Sequence, residues 1–311
     1  MFASVLTITK NLTVFGKPTK AVPLPALDGG FNASTNPSPG PVLSVGSGVT
    51  ASIRDLTIRH GAYPCTQQNQ TLECDTGGAF NHGTLALTRV IVRDNVGSGI
   101  GNGAAVGSAS LSLTDSTITG NHAQFFGGGL ATASGTVTLT RTTVTDNHAD
   151  QDAGGISLAF GAQSVILNDS EVSHNTAGDQ GGGIWNGADL ILNGTTTVDH
   201  NTATTDGGGI FNFKGTLGGQ FTFDGDVQLN DESQVSDNSA GNSGGGLYNT
   251  GAATLNGDSS VHDNAAGTGT GGGIFNDCAS GVLNGVTGDN VFDNTPDDVN
   301  SCSTAPGVFT S

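Results

Sequence analysis

The feature that most limits the fold of this chain is a glycine-rich motif that recurs along it. Two or three glycines precede a large aliphatic residue, and GGAF is an earlier version of the motif; the runs begin at Gly77, Gly127, Gly154, Gly181, Gly207, Gly244 and Gly271. A segment that returns at regular spacing is a repeat unit. The chain is therefore a repeat protein, and its repeat determines the fold class.

A second marker gives the length of the repeat. An aliphatic residue and two further residues, usually polar, precede an asparagine in each unit; these asparagines are Asn95, Asn121, Asn147, Asn175, Asn201, Asn238, Asn264 and Asn294. Most steps between them are 26 residues, with 28, 37 and 30 as exceptions. The unit therefore tolerates insertions at particular places.

Alternating apolar residues form a third marker inside the unit, as in LAL from Leu85, LSL from Leu111 and LIL from Leu190. A period of two puts such side chains on one face of a strand. Each unit then offers three short strands separated by turn residues, which predicts an all-β parallel β-helix of about eleven coils, stacked at roughly 4.8 Å per coil. Helical repeats are excluded because the units are too rich in Gly, Thr and Val.

The glycines and asparagines are expected to have structural roles. Glycine permits a positive φ and a close backbone approach at a corner, after which Ile184 can turn inward. Asparagine tolerates the left-handed conformation, and stacked amides can bond along a column. We therefore predict a glycine corner and an asparagine corner in every coil.

These motifs resemble the paired GGA[IL] and FxxN motifs of the chlamydial polymorphic outer-membrane proteins. The resemblance covers residues 77 to 294, with Gly usually in place of Ala and with Val or Ile in place of Phe. Similar repeats occur in bacterial surface proteins of the pectate-lyase-like class. The resemblance implies a right-handed helix and an exported or cell-surface bacterial protein.

The chain is predicted to be a single domain spanning residues 1 to 311. Residues 1–76 are expected to form irregular coils with a proline-rich loop at 16–41, residues 77–294 the regular repeats, and residues 295–311 a tail. Open ends of a β-helix expose strand edges. The first residues and the segment 277–302 are candidate covers for these edges.

The charge balance excludes several partners. Nine basic residues against 27 acidic ones give a net charge of −18, and phosphate binding needs clustered basic residues. Nucleic acid is therefore a poor partner. No apolar run reaches membrane-spanning length, and the N-terminus lacks a signal-peptide pattern, so a signal is expected to have been removed or to lie outside the chain.

The four cysteines form two local pairs in sequence, Cys65 with Cys74 and Cys278 with Cys302. Four cysteines allow three connectivities, and the two local disulfides are favoured because each closes a loop near one end of the repeats. Disulfides would indicate an oxidising compartment. Buried free thiols remain the alternative.

Columns of outward residues are the places where chemistry can be sought. One column alternates in sign and predicts surface ion pairs: Arg89, Asp115, Arg141 and Asp169. Another is acidic and allows either solvated carboxylates or a weak calcium site, without any cofactor otherwise: Asp237, Asp263 and Asp293. Two histidine pairs, His122 with His148 and His174 with His200, could bind a metal but have no third ligand fixed by the pattern.

Large aromatic residues follow four of the glycine runs at one recurring position: Trp185, Phe211, Tyr248 and Phe275. If this position faces outward, the aromatics form a stripe for stacking sugars or a partner protein. If it lies under a loop, they are local packing. Both interpretations are open at this point.

These observations favour a non-catalytic, adhesin-like binding and scaffold module with a protein or carbohydrate ligand on one face. One alternative is a carbohydrate-active enzyme, although the galacturonase-type motifs are absent. A purely structural stalk is the other. A cluster of carboxylates on adjacent coils would favour the enzyme, and an outward-facing aromatic column would favour binding over a stalk.

Overall fold

The computed structural model describes residues 5–19, 24–31, 40–62, 75–103, 109–159 and 161–300. It confirms the parallel β-helix, because three sheets of ten strands each run along the molecule and every strand pairs in parallel with its counterpart in the next coil. Isolated parallel bridges at Thr295 and Val299 add part of one more coil. The right hand of the helix stays a prediction from the resemblance.

The first sheet collects the strands that follow the glycine runs. Its members are Leu6–Ile8, Leu43–Val45, Thr76–Asn81, Ser98–Asn102, Leu130–Thr132, Ile156–Leu158, Ile184–Asn186, Ile210–Asn212, Leu247–Asn249 and Ile274–Asn276.

The second sheet collects the strands with alternating apolar residues. Its members are Leu12–Phe15, Thr50–Arg54, Thr84–Thr88, Ser110–Thr114, Gly135–Thr140, Ala162–Asn168, Asp189–Asn193, Asp226–Leu229, Ala252–Leu255 and Val282–Asn284.

The third sheet collects the strands that precede the marker asparagines. Its members are Ala26–Asp28, Thr57–Arg59, Ile91–Arg93, Thr117–Thr119, Thr143–Thr145, Glu171–Ser173, Thr197–Asp199, Gln234–Ser236, Ser260–His262 and Val291–Phe292.

A fourth sheet of two-residue strands follows the marker asparagines directly, which the expectation of three strands per coil missed. Its members are His122–Ala123, His148–Ala149, Thr176–Ala177, Thr202–Ala203, Ser239–Ala240 and Ala265–Ala266. The second residue of each strand is a buried alanine, and the first residue is mostly exposed.

Identical positions of successive coils fill the core. In the second sheet Val165, Leu190 and Val227 lie in register, and all are fully buried. Along each strand the intervening residues face outward: in Asp189–Asn193 the first, third and fifth residues are exposed or half-buried, and the second and fourth are buried. Period-two alternation therefore places each apolar residue in one continuous core, as predicted.

The asparagine corner corrects one prediction. The positive φ belongs to the residue before the asparagine, such as His200 (φ 54°) or Asp237 (φ 56°), and not to the asparagine. The asparagine is buried and its Nδ2 donates to Oδ1 of the next one, as from Asn201 to Asn238 at 3.0 Å. The predicted amide ladder is therefore confirmed, and it lies inside the helix.

The glycine corner uses its glycines in two ways. Gly181 has a φ of 66°. A Cβ on Gly182 would lie 2.4 Å from the carbonyl oxygen of Gly208, and one on Gly183 would lie 2.7 Å from that of Gly209. The first glycine therefore supplies the left-handed turn, and the next two allow adjacent coils to approach.

The ends of the helix also carry strands. The proline-rich region does not interrupt the sheets, because Leu43–Val45 pairs with both Leu6–Ile8 and Thr76–Asn81. At the other end, the Asp298 carboxylate accepts hydrogen bonds from the backbone N and Nδ2 of Asn294, both at 3.0 Å. A carboxylate accepts hydrogen bonds but has no N–H group to donate to a further residue, so Asp298 terminates the asparagine column.

Candidate functional site

The predicted aromatic stripe exists as a column on the first sheet. Trp185, Phe211, Tyr248 and Phe275 lie in register on four successive coils. Neighbouring ring centroids are 6.3, 4.9 and 4.5 Å apart, with interplanar angles of 21°, 15° and 14°. The rings therefore stack on one another, and mainly their edges remain for other contacts.

An inserted β-hairpin covers half of this column. Its strands, Lys214–Leu217 and Phe221–Asp224, account for the 37-residue step in the repeat. Phe223 meets Trp185 edge-on at 5.3 Å between ring centroids. Trp185 is 7% exposed and Phe211 is 5% exposed. These two rings are therefore local packing under the hairpin and not an open stripe.

The other two rings, Tyr248 and Phe275, are half-buried. Burial raises the pKa of Tyr248 first, and the carboxylates of Asp206 and Asp277 raise it further. Asp206 itself accepts hydrogen bonds from the backbone N of Ser243 and from Nδ2 of Asn242. The open end of the column therefore lies in acidic surroundings, which favour a neutral or basic ligand.

The hairpin presents apolar residues at its tip. Leu217 and Phe221 pair across the turn and are 45% and 49% exposed. The base of the hairpin is charged, because Lys214 Nζ forms an ion pair with Asp224 Oδ1 at 2.6 Å. The sequence showed only a longer unit here, and the Phe/Thr alternation of FTFD was the signal for a strand.

Carboxylates line the corner before the glycine runs. Asp152 accepts a hydrogen bond from the backbone N of Gln180. Burial raises the pKa of Asp152 to about 6, and the neighbouring carboxylate of Asp179 adds to the rise. The pKa of Asp206 is raised by its burial as well. Carboxylates on adjacent coils, here Asp152 and Asp179, are the feature that would favour catalysis, and the sequence pattern did not single them out.

The first histidine pair has the third ligand that the sequence pattern did not show. His122 and His148 pair in register on the fourth sheet. Asp150 Oδ1 lies 2.8 Å from His122 Nε2 and 3.2 Å from His148 Nε2. All three side chains are half-exposed, and their ligand atoms lie within 4.8 Å of one another. Across the described ranges, this is the single group of three such residues close enough to hold a metal ion.

A buried carboxylate stands behind this group. Asp75 is 4% exposed and accepts hydrogen bonds from the backbone N of Gln124 and Phe125. Burial raises its pKa to about 6; the two hydrogen bonds lower it, the Asp150 carboxylate raises it and His122 lowers it. The sequence marked Asp75 with no motif.

The remaining columns are structural. Arg89 Nε bonds Asp55 Oδ1 and Arg141 Nε bonds Asp115 Oδ1, each at 2.7 Å, so the predicted ladder is two separate exposed pairs. The acidic column has its own explanation, because all three members have the positive φ of the asparagine corner: Asp237, Asp263 and Asp293. They do not belong to a metal-ligand group among the described residues.

The second histidine pair also stacks, with ring centroids of His174 and His200 at 4.9 Å. Cys278 is disulfide-bonded. Cys65, Cys74 and Cys302 lie outside the described residues. The pairing of the cysteines therefore stays a prediction.

Comparison with family models, with curated proteins and with solved structures finds no match to this chain. The resemblance to the polymorphic outer-membrane protein repeats stays a prediction from the motifs. In the part of the chain that the structure describes, no helix is long and apolar enough to cross a bilayer.

Proposed function

We propose that this protein is an exported or cell-surface binding and scaffold module that holds a macromolecular ligand against the hairpin and the adjoining end of the aromatic column. The observation that supports this most is the hairpin itself. It accounts for the longest step between the marker asparagines, at 37 residues, and insertions in solenoids map to loops on one face, which is often the binding face.

The hairpin packs against the rod on one side and exposes apolar side chains at its tip. Its inner residue Phe223 packs on Trp185 and holds it to the rod, while Leu217 and Phe221 stand out at the tip. Contiguous exposed apolar side chains with a polar rim mark interaction surfaces in soluble proteins, and Leu217 and Phe221 are neighbours across the turn. A rigid parallel sheet beneath them reduces the entropy lost on binding.

The stacking geometry favours a protein ligand over a carbohydrate. Sugars pack on open ring faces, and the column rings use their faces on one another, as Tyr248 and Phe275 do at 4.5 Å. A protein ligand can instead enclose Leu217 and Phe221 in a pocket. The net charge of −18 favours a neutral or basic partner surface.

The test compares two double variants that remove exposed apolar residues from different places. Leu217→Ser with Phe221→Ser changes the hairpin tip, and Leu12→Ser with Phe15→Ser changes a site of similar exposure near the other end. Purified chain is screened against immobilised extracellular proteins and a glycan array. We expect binding to a protein ligand that the tip variant loses at least tenfold and the control keeps.

Binding to glycans alone would redirect the proposal to a carbohydrate module. Equal loss in both double variants would remove the hairpin from the interaction. Silence in both screens for the wild-type chain would contradict the binding module and favour the structural stalk.

One observation supports the second candidate, a carbohydrate-active enzyme. The raised pKa of Asp152 near Asp179 suits a general acid. A polysaccharide depolymerisation assay with Asp152→Asn as the variant tests it. Cleavage that this variant abolishes would replace the binding module with the enzyme.

A further inference from the structure

We propose that His122, His148 and Asp150 form a binding site for a divalent transition-metal ion of the zinc type. The site is independent of the hairpin and of the proposed ligand. It would join two adjacent coils, because His122 belongs to one coil and the other two residues to the next.

The donor set selects the class of metal. Two imidazole nitrogens and one carboxylate oxygen suit Zn²⁺, Cu²⁺, Ni²⁺ or Co²⁺, whereas Ca²⁺ and Mg²⁺ prefer oxygen ligands throughout. Catalytic zinc sites likewise use three protein ligands and leave a position for water or another molecule. The half-exposed side chains leave such a position open to solvent.

The two nitrogen-to-oxygen distances are close to those of a tetrahedral site, and the half-exposed imidazole rings can rotate to bring their nitrogens together. Bonds of about 2.0–2.1 Å in a tetrahedron place neighbouring ligand atoms roughly 3.3 Å apart. The two nitrogen-to-oxygen distances are 2.8 and 3.2 Å, and the largest separation within the group is below 4.8 Å. Shifts of a few tenths of an ångström at the Asp150 oxygen, with rotation of exposed rings, admit the ion.

The backbone holds the three ligands in place. His122 N bonds the Asn95 carbonyl and His148 N bonds the Asn121 carbonyl, while Asp150 N bonds the Ala123 carbonyl. These bonds repeat the coil spacing, so the imidazoles stay in register without the metal. Preorganised ligands bind a metal with less loss of entropy than free side chains do.

Asp75 adds a supporting interaction. Its buried carboxylate fixes the backbone of Gln124 and Phe125, which directly follows the strand that carries His122. Asp75 therefore supports the backbone beside His122, and it is not one of the three ligands.

The chain provides an internal control for two stacked histidines. His174 and His200 lie at 4.9 Å between ring centroids, with an angle of 4°. Asp199 Oδ2 lies 2.8 Å from His200 Nδ1, but over the described residues these three side chains do not bring their ligand atoms together. His122 and His148 lie similarly close, at 4.7 Å between ring centroids, but meet edge to face. A close histidine pair therefore occurs twice among the described residues, whereas the complete donor set occurs at His122, His148 and Asp150.

The competing interpretation is a hydrogen-bonded trio in which both imidazoles share the Asp150 carboxylate. Tag-free, chelator-treated protein distinguishes the two by calorimetric titration with ZnCl₂ at pH 7.5 and by the visible spectrum after Co²⁺ addition. We expect one Zn²⁺ per chain and an absorption band of bound Co²⁺. Protons compete with metal for imidazole nitrogen, so binding should weaken at least tenfold at pH 5.5.

Two double variants locate the site. His122→Gln with His148→Gln should lower the Zn²⁺ association constant at least tenfold, and Asp150→Asn should lower it as well. His174→Gln with His200→Gln should change it by less than twofold. Equal loss in both double variants, or the absence of bound Zn²⁺ and Co²⁺ in the wild-type chain, would overturn the proposal.

A measurement on the wild-type chain avoids any folding defect of the variants. Nuclear magnetic resonance of the imidazole groups during Zn²⁺ addition should shift the signals of His122 and His148. Shifts of His174 and His200 in their place would also overturn the proposal.

Discussion

Two of the asparagine ladders in the described residues have nearly equal geometry, although one lies inside the helix and the other on its surface. Asn201 Nδ2 donates to Asn238 Oδ1 at 3.0 Å in the inner ladder, and Asn193 Nδ2 donates to Asn168 Oδ1 at 2.9 Å in the outer one. Asn201 is fully buried, whereas Asn193 is only partly buried. The same hydrogen bond is therefore made where water can replace it and where water cannot.

The inner ladder also satisfies more groups. Asn201 Nδ2 donates to the carbonyls of Val172 and Asp199, and its Oδ1 accepts from both N and Nδ2 of Asn175. A buried polar group that loses its partner costs about 1–3 kcal/mol. The comparison teaches that the burial of an amide, and not the amide contact, gives a column its stability.

The largest effect should come from Asn201→Ala. The change removes the hydrogen bonds that Asn175 N, Asn175 Nδ2 and the Val172 carbonyl make with the buried Asn201 side chain, so the free energy of unfolding should fall by about 3–5 kcal/mol. Asn193→Ala, the matched outer change, should cost under about 1 kcal/mol, because water can bond the groups that it frees. Urea denaturation of both variants measures the difference. Equal costs would break the comparison.

The glycine corner sharpens the comparison with a second matched pair. Gly182→Ala places a Cβ 2.4 Å from the Gly208 carbonyl oxygen, and backbone must move to relieve it. We expect a loss of about 2–3 kcal/mol, the typical cost of overpacking. Gly181→Ala should cost about 1–2 kcal/mol, because the alanine is left-handed and its Cβ would lie 2.7 Å from the carbonyl oxygen of Ile184 in the same corner.

The chain itself shows that the first position accepts alanine, since Ala153 takes it with a φ of 61°. Thermal and urea denaturation of the two glycine variants would decide the order. A greater loss for Gly181→Ala than for Gly182→Ala would mean that backbone conformation, and not coil contact, limits this corner.

The helix was predictable from sequence because its period is local. The alternation of apolar and other residues in segments such as Leu190 to Leu192 predicts which side chains face inward, and the coil length follows from the asparagine spacing. The site was less predictable. Asp150 joins His122 only through the register of the fourth sheet, whose two-residue strands carry almost no periodicity.

The left-handed residue was misplaced for a physical reason. Asparagine tolerates that conformation, but burial gives its amide four partners in the ladder and turns it inward. The residue before it then takes the positive φ. The position before the asparagine holds Gly120 in one coil and Asp146, His174 or Asp237 in others. A glycine at this position was the signal that the left-handed conformation belongs there.

A buried side chain can also destabilise the native state when it is ionised, and Asp152 provides the test. Its pKa of about 6 lies above the usual value of 3.8 for an aspartate, so between these values the native state holds a proton that the unfolded state releases. Unfolding free energy should therefore fall as pH rises from about 4 to about 6. At 1.36 kcal/mol per pKa unit, the loss at pH 7 is about 1–3 kcal/mol.

Asp152→Asn removes this loss. Its side-chain oxygen can still accept the hydrogen bond from Gln180 N. We expect the variant to be more stable than the wild type by about 1–3 kcal/mol at pH 7 and equal to it near pH 4. Urea midpoints at both pH values check this. A variant that is less stable at pH 7 would show that the carboxylate is held by a partner that burial alone does not reveal.

The smallest effect should come from an outer column. Arg141 pairs with Asp115 at 2.7 Å, and this pair raises the pKa of Arg141 and lowers that of Asp115. Both groups are exposed, and exposed pairs contribute little because water and salt screen them. The backbone constraint at this corner is the stronger one, since Arg141 has a φ of 48° and Gly194 takes the corresponding place with a φ of 66°.

Arg141→Gly should therefore leave the urea midpoint within experimental error of the wild type at low and at high salt. The glycine loses a screened ion pair and gains a relaxed left-handed turn, while its greater freedom in the unfolded chain acts in the opposite direction. A clear loss of stability that disappears in high salt would show that the ion pair contributes after all. The outer column would then resemble the inner ladder, and exposure would no longer separate the two.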